Sequence, residues 1–148
     1  MSEGIRIKNK KAYYQYFLED KYLAGIQLTG TEIKSIRTGK VSLAESYCSF
    51  VGTELFVINM HIAEYEMGTV YNHHPKRDRK LLLTKRELKK LAIKVKEKGY
   101  TIIPTVLFIN EKGLAKLEIA LAKGKQYFDK RESIKHKDFQ RELGRKHK

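Results

Sequence analysis

The feature that most constrains this chain is a period of two. In residues 114–123, Leu117, Ile119 and Leu121 alternate with polar or small residues, so one face of an extended segment belongs in a core. Residues 46–51 and 55–60 alternate in the same way and are joined by Gly52-Thr53-Glu54. Residues 100–110 and 114–123 are joined by Glu111-Lys112-Gly113. Each pair reads as a β-hairpin. Residues 12–28 carry Tyr, Phe, Ile and Leu around the polar break Glu19-Asp20-Lys21, and read as strand, tight turn and strand.

Two helices are expected among these strands. Thr31 precedes Glu32-Ile33-Lys34-Ser35-Ile36-Arg37, where Ile33 and Ile36 share a face and Gly39 follows. Thr84 and Glu87 form a capping box ahead of an apolar stripe of Leu88, Leu91, Ala92 and Val95, with Gly99 available as a left-handed cap. The stretch 61–80 has neither period and contains His73-His74-Pro75-Lys76-Arg77-Asp78-Arg79-Lys80, which reads as an exposed basic loop. The pattern predicts a mainly β fold with α: a small antiparallel OB-like β-barrel of about six strands with two or three helices and a basic C-terminal tail. A parallel α/β sheet would need strands alternating regularly with helices. A length of 148 residues suits one domain. The barrel is placed at 1–128, with a mobile basic arm at 1–11, and the tail at 129–148.

Charge narrows the function. The chain has 31 Lys and Arg against 17 Asp and Glu, a net +14, and its pI is about 9.8. A surface of this sign attracts polyanions, and clustering of its cations points to nucleic acid. The clusters are Arg6, Lys8, Lys10 and Lys11 in the arm, Lys76 to Lys80 in the loop, and the tail. The last twenty residues hold eight Lys and Arg against four Asp and Glu, hence +4, leaving +10 on the first 128. Only Ile134, Phe139 and Leu143 there are large and apolar, too few to hold a helix by themselves. The tail is therefore expected to be disordered when free and to become a basic helix on RNA. Tyr13, Tyr14, Tyr71, Tyr127 and Phe128 stand near cations, where they can stack on unpaired bases or pack into the core; strand alternation would turn one of Tyr13 and Tyr14 inward.

Other chemistries find little support. The chain has no apolar run near the roughly 18 residues of a membrane helix and no cleavable leader, so the cytoplasm is expected. Cys48 is single and reads as a half-buried hydrophobe. Adjacent His73 and His74 point apart, and no second Cys or helically spaced His completes a metal set. Gly30-Thr31-Glu32 and Gly124-Lys125 read as turns rather than phosphate loops. Glu32, Glu45, Glu64 and Glu66 are scattered, so neither a catalytic site nor a cofactor is expected.

Three ordered segments are more specific. Gly30-Thr31-Glu32-Ile33-Lys34-Ser35-Ile36-Arg37-Thr38-Gly39-Lys40-Val41, Arg79-Lys80-Leu81-Leu82-Leu83-Thr84-Lys85-Arg86-Glu87-Leu88 and Ala122-Lys123-Gly124-Lys125-Gln126-Tyr127-Phe128-Asp129-Lys130-Arg131 resemble the signature blocks of the SsrA-binding (SmpB) protein family. The resemblance runs from about Asn9 to Phe139. It implies an OB-like barrel that clamps the tRNA-like domain of transfer-messenger RNA (tmRNA) at its elbow and D-loop side. It also implies a basic tail entering the vacant A site and downstream mRNA channel of a stalled ribosome. The nascent chain then receives a degradation tag, and elongation factor Tu is a further partner.

By the same resemblance, Asn9 and Leu82 fall on the tmRNA side, Leu82 either touching RNA or packing the loop. Lys10, Lys11, Lys76, Arg77, Arg79, Lys80 and Lys125 are the accompanying candidate cations. Phe128, Asp129, Lys130, Arg131, Lys135, Lys137, Phe139 and Arg141 are the candidate ribosome contacts, with Phe128 placed to stack in the decoding centre. Two departures stand out: Leu23 where most members have Glu in a Tyr-Glu-Ala-Gly block, and Gln126 for the second Lys of Gly-Lys-Lys. The rival readings are a general OB-type RNA chaperone, which would not prefer one RNA, and an enzyme.

Overall fold

The closing hairpin is the spine of the fold. In the computed structural model, which describes residues 5–67, 72–97 and 99–125, β8 (Tyr100–Ile109) and β9 (Ala115–Gly124) pair from Tyr100 with Lys123 to Ile109 with Ala115. Their turn is held by the Asn110 side-chain oxygen, which accepts from the amides of Lys112 and Leu114, both at 2.9 Å. Gly113 takes φ +81° there, a conformation that favours glycine. The expected second hairpin is β4 (Tyr47–Val51) and β5 (Glu54–Ile58).

With β2 (Tyr16–Ile26) and β7 (Arg79–Leu82), these strands close a ring in the order β8, β4, β5, β7, β2, β9 and back to β8, every pairing antiparallel. This matches the expected ring of about six strands. A short strand, β1 (Arg6–Lys8), pairs with residues 106–108 of β8, further along than the Ile102 pairing with β4, and β3 (Val41–Ser42) pairs with β6 (His61–Ile62) in a separate ribbon. Leu117, Ile119 and Leu121 face into the ring among Leu55, Val57, Leu81, Ile102 and Leu107. Burial stabilises each such side chain by about 1.5–3 kcal/mol relative to exposure.

Among the described residues, three helices accompany the sheet. In α3 (Lys85–Lys94) the capping box of Thr84 and Glu87 is present and Leu91 is fully buried. In α2 (Gly30–Arg37) the cap is Thr29, not Thr31: its hydroxyl accepts from the Glu32 amide while the Glu32 carboxylate accepts from the Thr29 amide. Helix α1 (Lys10–Gln15) was not expected, and it corrects the reading of 12–28 as two strands. The Asn9 side chain caps it, and Ala12 packs on Ile103 and Ala122 on the outer side of the sheet. One strand of eleven residues follows, and a register shift between Leu18 and Lys21 against β9 accommodates the polar triplet without a turn.

Two further expectations change. Residues 6–8 of the arm are a paired strand, with Arg6 opposite Phe108 and Lys8 opposite Val106. The stretch 61–80 is only partly a loop. Its first residues form β6, its last begin β7, and the Asn72 side chain clamps the Tyr65 backbone by accepting from its N–H at 3.1 Å and donating to its carbonyl at 2.8 Å. His73 is buried, its ring bonded to the Thr31 hydroxyl and the Ile62 carbonyl, both at 2.9 Å. A carbonyl only accepts, so Nε2 carries the proton.

Candidate nucleic-acid interface

The basic loop divides into internal and external cations. Glu32 on α2 is fully buried, and its carboxylate accepts from Arg77 (Nη2 to Oε1 2.8 Å, Nε to Oε2 3.0 Å) and from Arg79 (Nε to Oε2 2.7 Å). Arg79 is itself fully buried and also donates to the carbonyls of Met60 at 2.7 Å and Pro75 at 3.1 Å. Burial alone would raise the Glu32 pKa, but donation from Arg77, the Thr29 amide and Arg79 outweighs it and holds the carboxyl at about 2. Arg79 is thus a structural cation, a correction to its placement on an exposed loop, and Arg77 has its guanidinium turned onto the same carboxylate.

The other candidates divide in the same way. Asn9 is buried, and its Nδ2 donates to the carbonyls of Pro104 at 2.8 Å and Leu43 at 3.3 Å. Its side chain ties α1 to β8 and is not on the surface. Lys10 and Lys11 are exposed on α1, Lys11 paired with Glu45 at 2.5 Å. Lys76 is exposed, and Lys80 is half-buried 2.9 Å from Glu54. Lys125 lies 5.4 Å from the Phe17 ring centroid. Tyr13 is half-buried between Lys8 and Lys21, at 4.8 and 5.3 Å, while Tyr14 is 81% exposed; both lie on α1, so strand alternation does not govern them. Phe128, Asp129, Lys130, Arg131, Lys135, Lys137, Phe139, Arg141, Tyr71 and Tyr127 lie outside the described residues.

Strand register assembles a surface that the sequence reading missed. Arg6 stands opposite Phe108, Phe108 opposite Lys116, Lys116 opposite Gly25, and Gly25 opposite Leu82. Residues directly opposed across strands share a face. The chain neighbours Leu107, Leu117, Ala24 and Leu81 are all buried in the ring, so this row points outward. It crosses five strands, a width of roughly 19 Å at the usual strand spacing.

The Arg6 guanidinium lies 5.2 Å from the Phe108 centroid, and Leu82 and Leu23 are 46% and 52% exposed. A Cβ at Gly25 would stand 3.4 Å from the Cβ of Leu82, about van der Waals contact, so the two positions lie side by side on this face. In the next row, the acid Glu118 is engaged by the Thr105 hydroxyl at 2.6 Å and by Lys21 at 3.7 Å. The result is a shallow cationic face with exposed apolar side chains between its charges. Such a face suits a phosphate backbone and sugar edges better than a small molecule. Elsewhere, burial pushes the Cys48 thiol pKa up. No helix among the described residues is long and apolar enough to cross a membrane.

Comparison with known proteins agrees on one family. The model of the SmpB protein family matches residues 6–148. The SsrA-binding protein of Flavobacterium psychrophilum is 61% identical, covering 98% of this chain and 97% of its own. That of Phocaeicola vulgatus is 62% identical over 95% and 94%, and that of Allorhizobium ampelinum 50% identical over 95% and 89%. A solved chain from work on tmRNA-SmpB in the bacterial ribosome is 45% identical with a TM-score of 0.70, covering 81% of this chain and 84% of that one. The chain belongs to the SsrA-binding (SmpB) protein family.

Proposed function

We propose that this protein binds the tRNA-like domain of tmRNA and delivers it to stalled ribosomes for trans-translation. The family supports this, as does the 45% identical neighbour from the tmRNA-SmpB ribosome work. The single observation that carries it is the outward row of Arg6, Phe108, Lys116, Gly25 and Leu82 across five strands. RNA duplexes are recognised mostly through phosphates and 2′-hydroxyls across a shallow groove, which asks for a broad cationic face.

Within this reading, Arg6, Lys10, Lys76, Lys80 and Lys116 meet phosphates and Leu82 lies against a sugar edge. Lys11 and Lys125 sit at the margin. Asn9, Arg77 and Arg79 act behind that surface by fixing α1 and the loop. Leu23, where an acid is usual, adds apolar contact next to Leu82. Residues 1–128 form the RNA-binding body, and residues 129–148, with Phe128, Asp129, Lys130 and Arg131 leading, occupy the vacant A site and mRNA channel. Elongation factor Tu joins through the RNA, the process is cytoplasmic, and the protein contributes binding rather than catalysis. Affinity capture from a bacterial lysate followed by RNA sequencing tests the whole reading. One tRNA-like RNA should dominate, and recovery of unrelated transcripts in equal yield would sink it.

A further inference from the structure

A cleft of about 630 Å³ lies between the β4–β5 turn and α3. That volume falls within the roughly 300–1,000 Å³ typical of small-ligand sites. Phe50, Leu83, Leu88 and Ala92 give it an apolar lining, while Lys85 and Lys89 of α3 stand on its rim. Glu54 is the one acid in the lining, and it is already held 2.9 Å from Lys80. Leu82 and Lys80 line the cleft as well as the outward sheet face, so the two surfaces are continuous. Arg86 and Lys90 add exposed cations to the same helix.

An occupant must satisfy both the apolar lining and the cationic rim. A nucleotide does so with one chemical unit: an apolar base face and flanking phosphates. Unpaired bases are the parts of an RNA that splay out and stack against protein. We propose that this cleft receives one unpaired nucleotide of the RNA lying on the sheet face. The base packs against Leu83, Leu88 and Ala92, and the two flanking phosphates meet Lys85 and Lys89. The inference rests on the reading of the sheet face as the tRNA-like RNA surface and adds a base-capture site to it.

The test uses the full-length protein and a tRNA-like domain transcript carrying 2-aminopurine at each unpaired position in turn. One position should change its fluorescence about threefold or more on saturation with the wild type. Ala92→Phe, which fills the cleft, should abolish that signal and weaken binding about tenfold. The double substitution K85Q/K89Q, on exposed positions that leave the core untouched, should lower the slope of log K against log salt by about 1.4, at roughly 0.7 per single-strand phosphate. If no position responds, or if both variants bind like the wild type, the cleft does not capture a base. Variants that bind RNA normally yet fail to support tagging would assign the cleft to a protein and overturn the inference. In either of those cases Lys116→Gln would still weaken binding, leaving the sheet-face reading intact. If the wild-type protein itself fails to prefer the tRNA-like transcript over an unstructured one, that underlying reading falls first.

Discussion

Glu32 shows how one residue sorts the cations of a basic protein. Its carboxylate is buried with two guanidiniums on it, so removing its charge leaves Arg79 buried and uncompensated. Glu32→Gln should therefore cost about 3–5 kcal/mol, read by urea denaturation. The pH dependence follows from the lowered pKa of about 2. A depressed carboxylate stabilises the fold above its unfolded pKa of about 4.3, and that contribution is lost as pH falls towards 2. The loss is about 3 kcal/mol, and the difference in stability between wild type and Glu32→Gln should shrink across that window. A constant difference from pH 6 to pH 2 would show that the carboxylate is not held in this way. Asn9 acts through neutral hydrogen bonds instead. Asn9→Ala removes the α1 cap and strands the carbonyls of Pro104 and Leu43, at a cost of about 2–3 kcal/mol. Because its side chain is buried, RNA affinity per folded molecule should stay at the wild-type value in filter binding.

Among the elements, those made by neighbours in sequence were the legible ones. The hairpins β4–β5 and β8–β9 carry their turn residues between them, and α3 announces itself through Thr84, Glu87 and the stripe ending at Val95. Contacts between distant residues were not legible. Glu32 meets Arg77 and Arg79 at separations of 45 and 47, so no local pattern separates these arginines from the exposed Lys76. Helix α1 was hidden because its aromatic residues mimic a strand, and because the Asn9 side chain that caps it at Ala12 is oriented by bonds to the distant carbonyls of Leu43 and Pro104. The row from Arg6 to Leu82 depends on four separate strand pairings and leaves no periodic trace in the chain. Its energetic role is open to measurement. Lys116→Gln should weaken binding to the tRNA-like domain several-fold and reduce the salt slope by about 0.7–0.9, one phosphate contact. Thermal stability should not change, because Lys116 is a partly exposed residue on the outer face. An unchanged salt slope would remove this lysine from the interface.

At the scale of the molecule, the charge is divided between two stretches of different sequence character. The first 128 residues carry +10 and include the ring, with its buried apolar interior and outward cationic row, while the last twenty carry +4 with three large apolar side chains. Binding that depends on released counterions scales with the phosphates actually neutralised, and total protein charge alone does not determine it. If the sheet face makes the contacts with the tRNA-like domain, deleting residues 129–148 should leave the salt slope for that RNA nearly as it was, even though +4 of the +14 is gone. On the proposed reading, in which residues 129–148 enter the decoding centre and mRNA channel, the same truncated protein should fail to support tagging on ribosomes stalled without a codon. The two assays together separate the roles. A slope that falls by about 3 or more on truncation would mean that the tail itself neutralises phosphates of the tRNA-like domain, and the division between a gripping ring and a ribosome-entering tail would have to be abandoned.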